Sequence, residues 1–211
     1  MKKGMTIIYP EYEGLYINLT NRCPCACTFC IRQRTPKAEF DNVNTLWLER
    51  EPTAQEVIDA IQKESRTARF QTYREFVFCG YGEPTEALGV LLEVAAFLKA
   101  HYPLPVRLNT NGLADLIQGK PVAPLLHGKI DAVSNSLNSS DPAVYERTVR
   151  PVFREKAFPA LLAFAEQAAR FVPKVILTTV ATTISREDEA ACRRLCERLG
   201  VTYRIRSFIK P

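Results

Sequence analysis

Short β-rich runs alternate with helical patterns along the whole sequence, and few folds accommodate that alternation. The runs are GLYINLT at 14–20, EFVFCG at 75–80, PVRLNTNG at 105–112, DAVSNSLN at 131–138, KVILTTVAT at 174–182 and TYRIRSFIK at 202–210, with TIIY at 6–9 a candidate partner for the first. Between them apolar residues recur at helical spacing: Ala54, Val57, Ile58 and Ile61; Leu88, Leu91, Leu92, Ala95 and Leu98; Phe158, Leu161, Leu162, Ala165 and Ala169. A weaker helical stretch covers 114–127. Thr53 with Glu56 makes a capping box, and Ser185 with Asp188 caps a last helix that Gly200 closes. Six strands, each but the last followed by a helical crossover, predict an α/β fold. Its parallel strands would curl into a partial (β/α)6 barrel with the helices outside. Ligands of parallel βα repeats sit at the C-terminal strand ends, so chemistry is expected in the loops after residues 20, 80, 112, 138 and 182.

A length of 211 residues suits one domain, expected to run over 1–211 without a linker. The apolar fraction of 46% and charged fraction of 24% are ordinary for a soluble globular chain. The opening MKKGMTIIYPEYEG breaks its apolar run at Pro10 and Glu11, too early for a signal-peptide core. No stretch approaches the roughly 20 apolar residues of a membrane span, so no membrane partner and a cytoplasmic location are expected. In that reducing compartment an odd total of 7 cysteines argues against a disulfide framework. Four of them fall within residues 23 to 30, which suggests metal. The net charge of +5 is modest and its basic residues are scattered, so nucleic-acid binding is allowed but not supported.

The loop after the first strand, NLTNRCPCACTFCIR, contains Cys23-x3-Cys27-x2-Cys30. Three thiolates can bind three irons of a cluster and leave the fourth open for another ligand. A zinc knuckle or a four-cysteine cluster using Cys25 is the plainer alternative; His101 and His127, the two histidines, stand in unrelated segments without partner spacing. Gly80-Tyr81-Gly82-Glu83-Pro84 follows the second strand, Asn109-Thr110-Asn111-Gly112 ends the third, and Ser134, Ser136 and Asn138 alternate on the fourth. Each taken singly could be a strand-end turn. Cys192 and Cys196 share a helix face with Leu195 and Leu199 and read as core, as does Cys79. Arg147, Arg150, Arg154 and Lys156 read as a solvated face around Pro151, with contact to an anionic substrate the minority reading. Arg204 and Arg206 share one strand face that can reach the barrel mouth.

In this order the motifs resemble those of the radical S-adenosylmethionine (SAM) superfamily over nearly the whole chain. The short length, YINLTNRCPCACTFCIRQR and GYGEPTEA are similar to the TatD-nuclease-associated radical SAM family in particular. The resemblance implies a radical SAM core domain with a cluster loop at 21–31, a 4Fe-4S cluster on Cys23, Cys27 and Cys30, and SAM on its open iron. It assigns the SAM amino group to the segment of Gly80, Gly82 and Glu83, and the SAM ribose and carboxylate to Asn111 and Ser136. The implied reaction is reductive cleavage of SAM to a 5'-deoxyadenosyl radical that takes hydrogen from an unknown, small or macromolecular substrate; the catalytic residues toward it are unknown. An electron donor such as flavodoxin or ferredoxin is implied. Because the chain ends just after the sixth strand, no auxiliary-cluster domain is expected. Two alternatives remain open: an activase that installs a radical on a partner protein, and a non-catalytic iron-sulfur electron carrier.

Overall fold

The computed structural model describes residues 4–34 and 45–208. Seven strands form one sheet: β1 (Ile8–Glu11), β2 (Gly14–Ile17), β3 (Glu75–Phe78), β4 (Val106–Thr110), β5 (Ala132–Ser136), β6 (Lys174–Val180) and β7 (Thr202–Arg206), each beside its neighbour in the chain. β1 runs antiparallel to β2, and β2 to β7 are mutually parallel. The six parallel strands are those expected, and TIIY contributes part of a seventh through a hairpin register of Ile8 opposite Ile17. β7 stops at Arg206; the expected continuation to 210 includes residues 209 and 210, which lie outside the described residues.

The helices are α1 (Ile31–Arg34), α2 (Ala54–Ser65), α3 (Leu88–His101), α4 (Ala114–Gln118), α5 (Pro142–Val149), α6 (Ala157–Ala168) and α7 (Arg186–Leu199). The capping box of α2 forms as expected, with Thr53 Oγ1 accepting from the Glu56 backbone at 3.3 Å and the Thr53 backbone donating to the Glu56 carboxylate at 2.9 Å. Ser185 caps α7, and Gly200 closes it in a left-handed conformation. Two helices differ from expectation. The stretch 114–127 is only one turn of α4 followed by a 3-10 turn at Ala123–Leu126. The crossover after the fourth expected strand, read as one helix carried by Phe158, Leu161, Leu162, Ala165 and Ala169, is two helices, because Arg150 turns to φ +50° ahead of Pro151 and ends α5 before α6 begins.

A sheet whose strands add in chain order keeps its crossovers on one face. Phe76, Phe78, Leu108, Val133 and Leu177 point to that face and are fully buried against Leu91 and Leu98 of α3 and Leu161 and Phe164 of α6. Each such side chain contributes about 1.5–3 kcal/mol of burial free energy. Alternate residues face the other side: Tyr16, Cys79, Arg107, Ser134, Thr178 and Arg204 line a polar barrel interior. Cys79, expected in the core, is on this inner face and only partly buried. Cys192 and Cys196 are buried core residues on α7, as their spacing implied.

Candidate cluster and cosubstrate site

The cysteine loop leaves β2 and is braced from below by the end of α5. A helix leaves its last carbonyls without partners inside itself. Here the Thr148 carbonyl accepts from the Thr28 backbone at 2.9 Å and the Val149 carbonyl from Ala26 at 3.1 Å, while Val152 donates to the Pro24 carbonyl at 2.9 Å. Arg32 closes the loop from the other side, its guanidinium donating to the carbonyls of Asn21, Cys25 and Tyr81. The side chains of Arg147, Arg150, Arg154 and Lys156 are solvent-exposed, as expected of that stretch; its contribution to the loop comes through the backbone.

Cys23, Cys27 and Cys30 are partly exposed, whereas Cys25 is buried. The Cys25 thiol is held well above its ordinary range by its hydrogen bond with Cys23 and then by burial, and the same bond lowers Cys23. Burial pushes the Cys27 thiol up to about 12, reinforced by Cys30 and Cys23 nearby. Among the described residues no three His, Cys, Asp or Glu side chains converge on one ion. A cluster asks for less convergence than zinc, because its thiolates bind different irons. The donor set fits such a group: three partly exposed thiols around one loop, with the fourth buried.

Glu83 is fully enclosed at the end of β3. Its carboxylate accepts from Thr110 Oγ1 at 2.7 Å, the Asn111 backbone at 2.7 Å, Thr85 Oγ1 at 2.8 Å and the Thr85 backbone at 3.2 Å. Burial pushes this carboxyl up, and the four donors pull against it. A direct contact with a cosubstrate would have to share the oxygen that Asn111 already uses, so the role its geometry supports is to hold the β3 and β4 loops together. Asn111 joins this to the cysteine loop, its Nδ2 lying 3.6 Å from Cys25 Sγ and its Oδ1 accepting from Leu113 at 2.8 Å.

Gly80 and Gly82 stand where the β3 loop crosses the cysteine loop. A Cβ on Gly80 would come within 2.0 Å of Asn18 Oδ1, and one on Gly82 within 2.2 Å of the Thr20 carbonyl and 2.7 Å of the Arg22 carbonyl. The second clash is with backbone and cannot be relieved by a side-chain swing. Gly82→Ala is therefore expected to displace the cysteine loop and cost on the order of 2–4 kcal/mol. Urea unfolding of the metal-free protein measures it, and a midpoint equal to that of the parent would contradict the close approach.

Ser136 ends β5 half-buried, and Asn138, at φ +63°, donates to the Ser136 carbonyl at 3.3 Å. Asn138 Oδ1 is buried without a protein partner. Tyr145 of α5 was not singled out from the sequence, where an aromatic on an apolar helix face reads as core. Its hydroxyl is buried without a partner, and its pKa is raised by burial and then by Cys25, Cys27 and Cys23 close by. Tyr145→Phe is expected to leave the metal-free protein as stable as the parent or more stable, by up to about 1–3 kcal/mol, since the lost group had no partner to lose. A thermal midpoint several degrees lower would show that the hydroxyl is satisfied.

A groove of about 470 Å³ runs beside this loop, lined by Arg22, Cys23, Arg32, Val152 and Phe153 among others. Among the described residues no helix is long and apolar enough to cross a membrane.

Comparison with solved structures finds the same fold in several proteins. A radical SAM methyltransferase from Sphaerobacter thermophilus superposes with a TM-score of 0.65 at 17% identity, covering 95% of this chain and 57% of that one. SuiB of Streptococcus suis bound to S-adenosylmethionine gives 0.63 at 14%, covering 92% of this chain and 38% of SuiB. The FeFe-hydrogenase maturase HydG from Carboxydothermus hydrogenoformans gives 0.63 at 18%, covering 94% and 44%. The chain thus spans between about two fifths and three fifths of the length of these structures. A comparison with curated proteins finds no match. The family model of the radical SAM superfamily matches residues 17–195, from the second strand through most of the last helix, and the chain belongs to that superfamily.

Proposed function

We propose that this chain is a radical SAM enzyme in which Cys23, Cys27 and Cys30 hold a 4Fe-4S cluster and the barrel mouth receives SAM. The observation that carries this is a convergence of loops. Asn111 reaches Cys25 through its side chain and Glu83 through its backbone, so the cysteine loop and the ends of β3 and β4 meet at one residue.

When bound, the cluster held by Cys23, Cys27 and Cys30 would supply one electron for reductive cleavage of SAM to methionine and a 5'-deoxyadenosyl radical able to take hydrogen from a substrate. The chain's own residues do the placing. Gly80 and Gly82 keep one edge of the mouth clear of side chains, so that backbone there can meet the SAM amino group. Asn111 and Ser136 offer neutral donors and acceptors to its carboxylate and ribose. Glu83 acts one step back by fixing Asn111, and Cys25 stays buried inside the loop.

The narrower resemblance to the TatD-nuclease-associated radical SAM family is part of this proposal and brings no substrate with it. A small electron-transfer protein of flavodoxin or ferredoxin type is the proposed reductant, with the groove beside Cys23 as its approach. A reducing, cytoplasmic setting suits thiols that must stay free to bind iron.

Calorimetric titration of SAM into anaerobically reconstituted protein tests the cosubstrate assignments. Asn111→Ala and Ser136→Ala are expected to weaken SAM binding about tenfold, the equivalent of one lost hydrogen bond to a charged or polar group, with iron content unchanged. Unchanged affinity in both variants would remove these residues from the SAM site.

A further inference from the structure

Three arginines point into the barrel interior, and they are not equivalent. Arg107 of β4 is neutralised: its guanidinium meets the Glu75 carboxylate twice, at 2.6 and 2.9 Å, and also Asn109 Oδ1 at 2.8 Å. Arg204 of β7 reaches across β6 to Ser134 Oγ at 3.3 Å and makes no ion pair among the described residues. Arg206, one inward position nearer the mouth, has neither a carboxylate nor a hydrogen-bond acceptor for its guanidinium among the described residues. Both remain open to water.

We propose that Arg204 and Arg206 bind an oxyanion group, carboxylate or phosphate, of the substrate. Alternate residues of a strand stand about 6.6 Å apart on one face, so two guanidinium forks can close on one small anion from successive rungs. Planar guanidinium donors match the paired oxygens of a carboxylate or phosphate. A guanidinium does not give up its charge in a protein, so an oxyanion entering the barrel mouth would meet two permanently charged donors on one strand face with no carboxylate bound to them among the described residues. Their surroundings agree: desolvation and mutual repulsion lower Arg206, and desolvation and Arg107 lower Arg204. Arg206 also lies within electrostatic reach of Cys79 across the barrel and of Cys27 in the cysteine loop. The pair therefore stands on the wall opposite the SAM-assigned ends of β3 and β4, with the cysteine loop above it. This inference rests on the proposed function for calling the anion's carrier a substrate; the anion site itself stands on β6 and β7 geometry.

The experiment uses cluster-reconstituted, SAM-loaded protein, titrated calorimetrically with inorganic phosphate and separately with acetate. The parent is expected to bind one of them saturably, one per chain, and the one that binds identifies the group. Arg204→Gln with Arg206→Gln should lower that affinity at least tenfold, and Arg204→Lys with Arg206→Lys should recover only part of it, because the charge is retained but the paired planar donors are lost. SAM affinity should be the same in all three proteins. Equal anion binding by parent and double Gln variant, or no binding of either anion by the parent, would overturn the proposal. So would a parallel fall in SAM affinity, which would assign the arginines to the cosubstrate carboxylate. Formation of 5'-deoxyadenosine by the parent is measured alongside: if anion binding behaves as expected and no SAM is cleaved, the anion site stands and the proposed reaction fails.

Discussion

Replacing any one of Cys23, Cys27 or Cys30 by Ala is expected to abolish cluster incorporation, and replacing Cys25 is expected to leave it intact. Each of the three would bind a different iron, so a missing thiolate exposes a corner that neither of the others can cover. Cys25 cannot step in without cost: it is 5% exposed, its thiol is hydrogen-bonded with Cys23, and its backbone is paired with Pro151. Iron and sulfide content after anaerobic reconstitution reads the outcome directly. Loss of iron in Cys25→Ala, with the other three variants retaining it, would reverse the ligand assignment.

The second large effect is expected at Glu83. Truncation to Ala would leave the Asn111 and Thr85 backbone donors and two threonine hydroxyls without their acceptor in a site that is 3% exposed. Each buried unsatisfied donor costs about 1–3 kcal/mol, and the hydroxyls can turn to other acceptors, so a net loss on the order of 3–5 kcal/mol is expected. That is a large share of a total stability of about 5–15 kcal/mol. Glu83→Gln should recover part of it, since the amide oxygen can still serve the threonines while its NH2 opposes the Asn111 N–H. Urea midpoints of the two variants check this, and an Ala variant within about 1 kcal/mol of the parent would mean the carboxylate does not hold the loops.

The alternation of β and α segments was legible because the apolar spacing switches between two and 3.6 with little interruption, and the caps at Thr53 and Ser185 carry local signals. The break between α5 and α6 was also written in the sequence, as Pro151. Continuous apolar spacing through Phe158 and Leu161 masked it, and the left-handed turn at Arg150 has no glycine to announce it. Cys79 was misplaced because alternation assigns residues to two faces without saying which faces the helices. The cysteine spacing made the cluster loop visible, but its bracing was not: Thr148 and Val149 act through their backbone carbonyls, which any residue supplies, and the Arg32 guanidinium donates to carbonyls of Asn21, Cys25 and Tyr81, which no side-chain pattern marks. Glu83 was found as a motif residue, yet its four donors come from segments up to 28 residues away, a relation no local pattern contains.

The measurement that bears most directly on this account is the fate of SAM. Anaerobically reconstituted protein incubated with SAM and dithionite should form 5'-deoxyadenosine and methionine, and a Cys27→Ala protein treated in the same way should form neither. A parent protein that carries its full iron and sulfide, binds SAM and yields no 5'-deoxyadenosine would contradict the account and leave the chain an iron-sulfur binder.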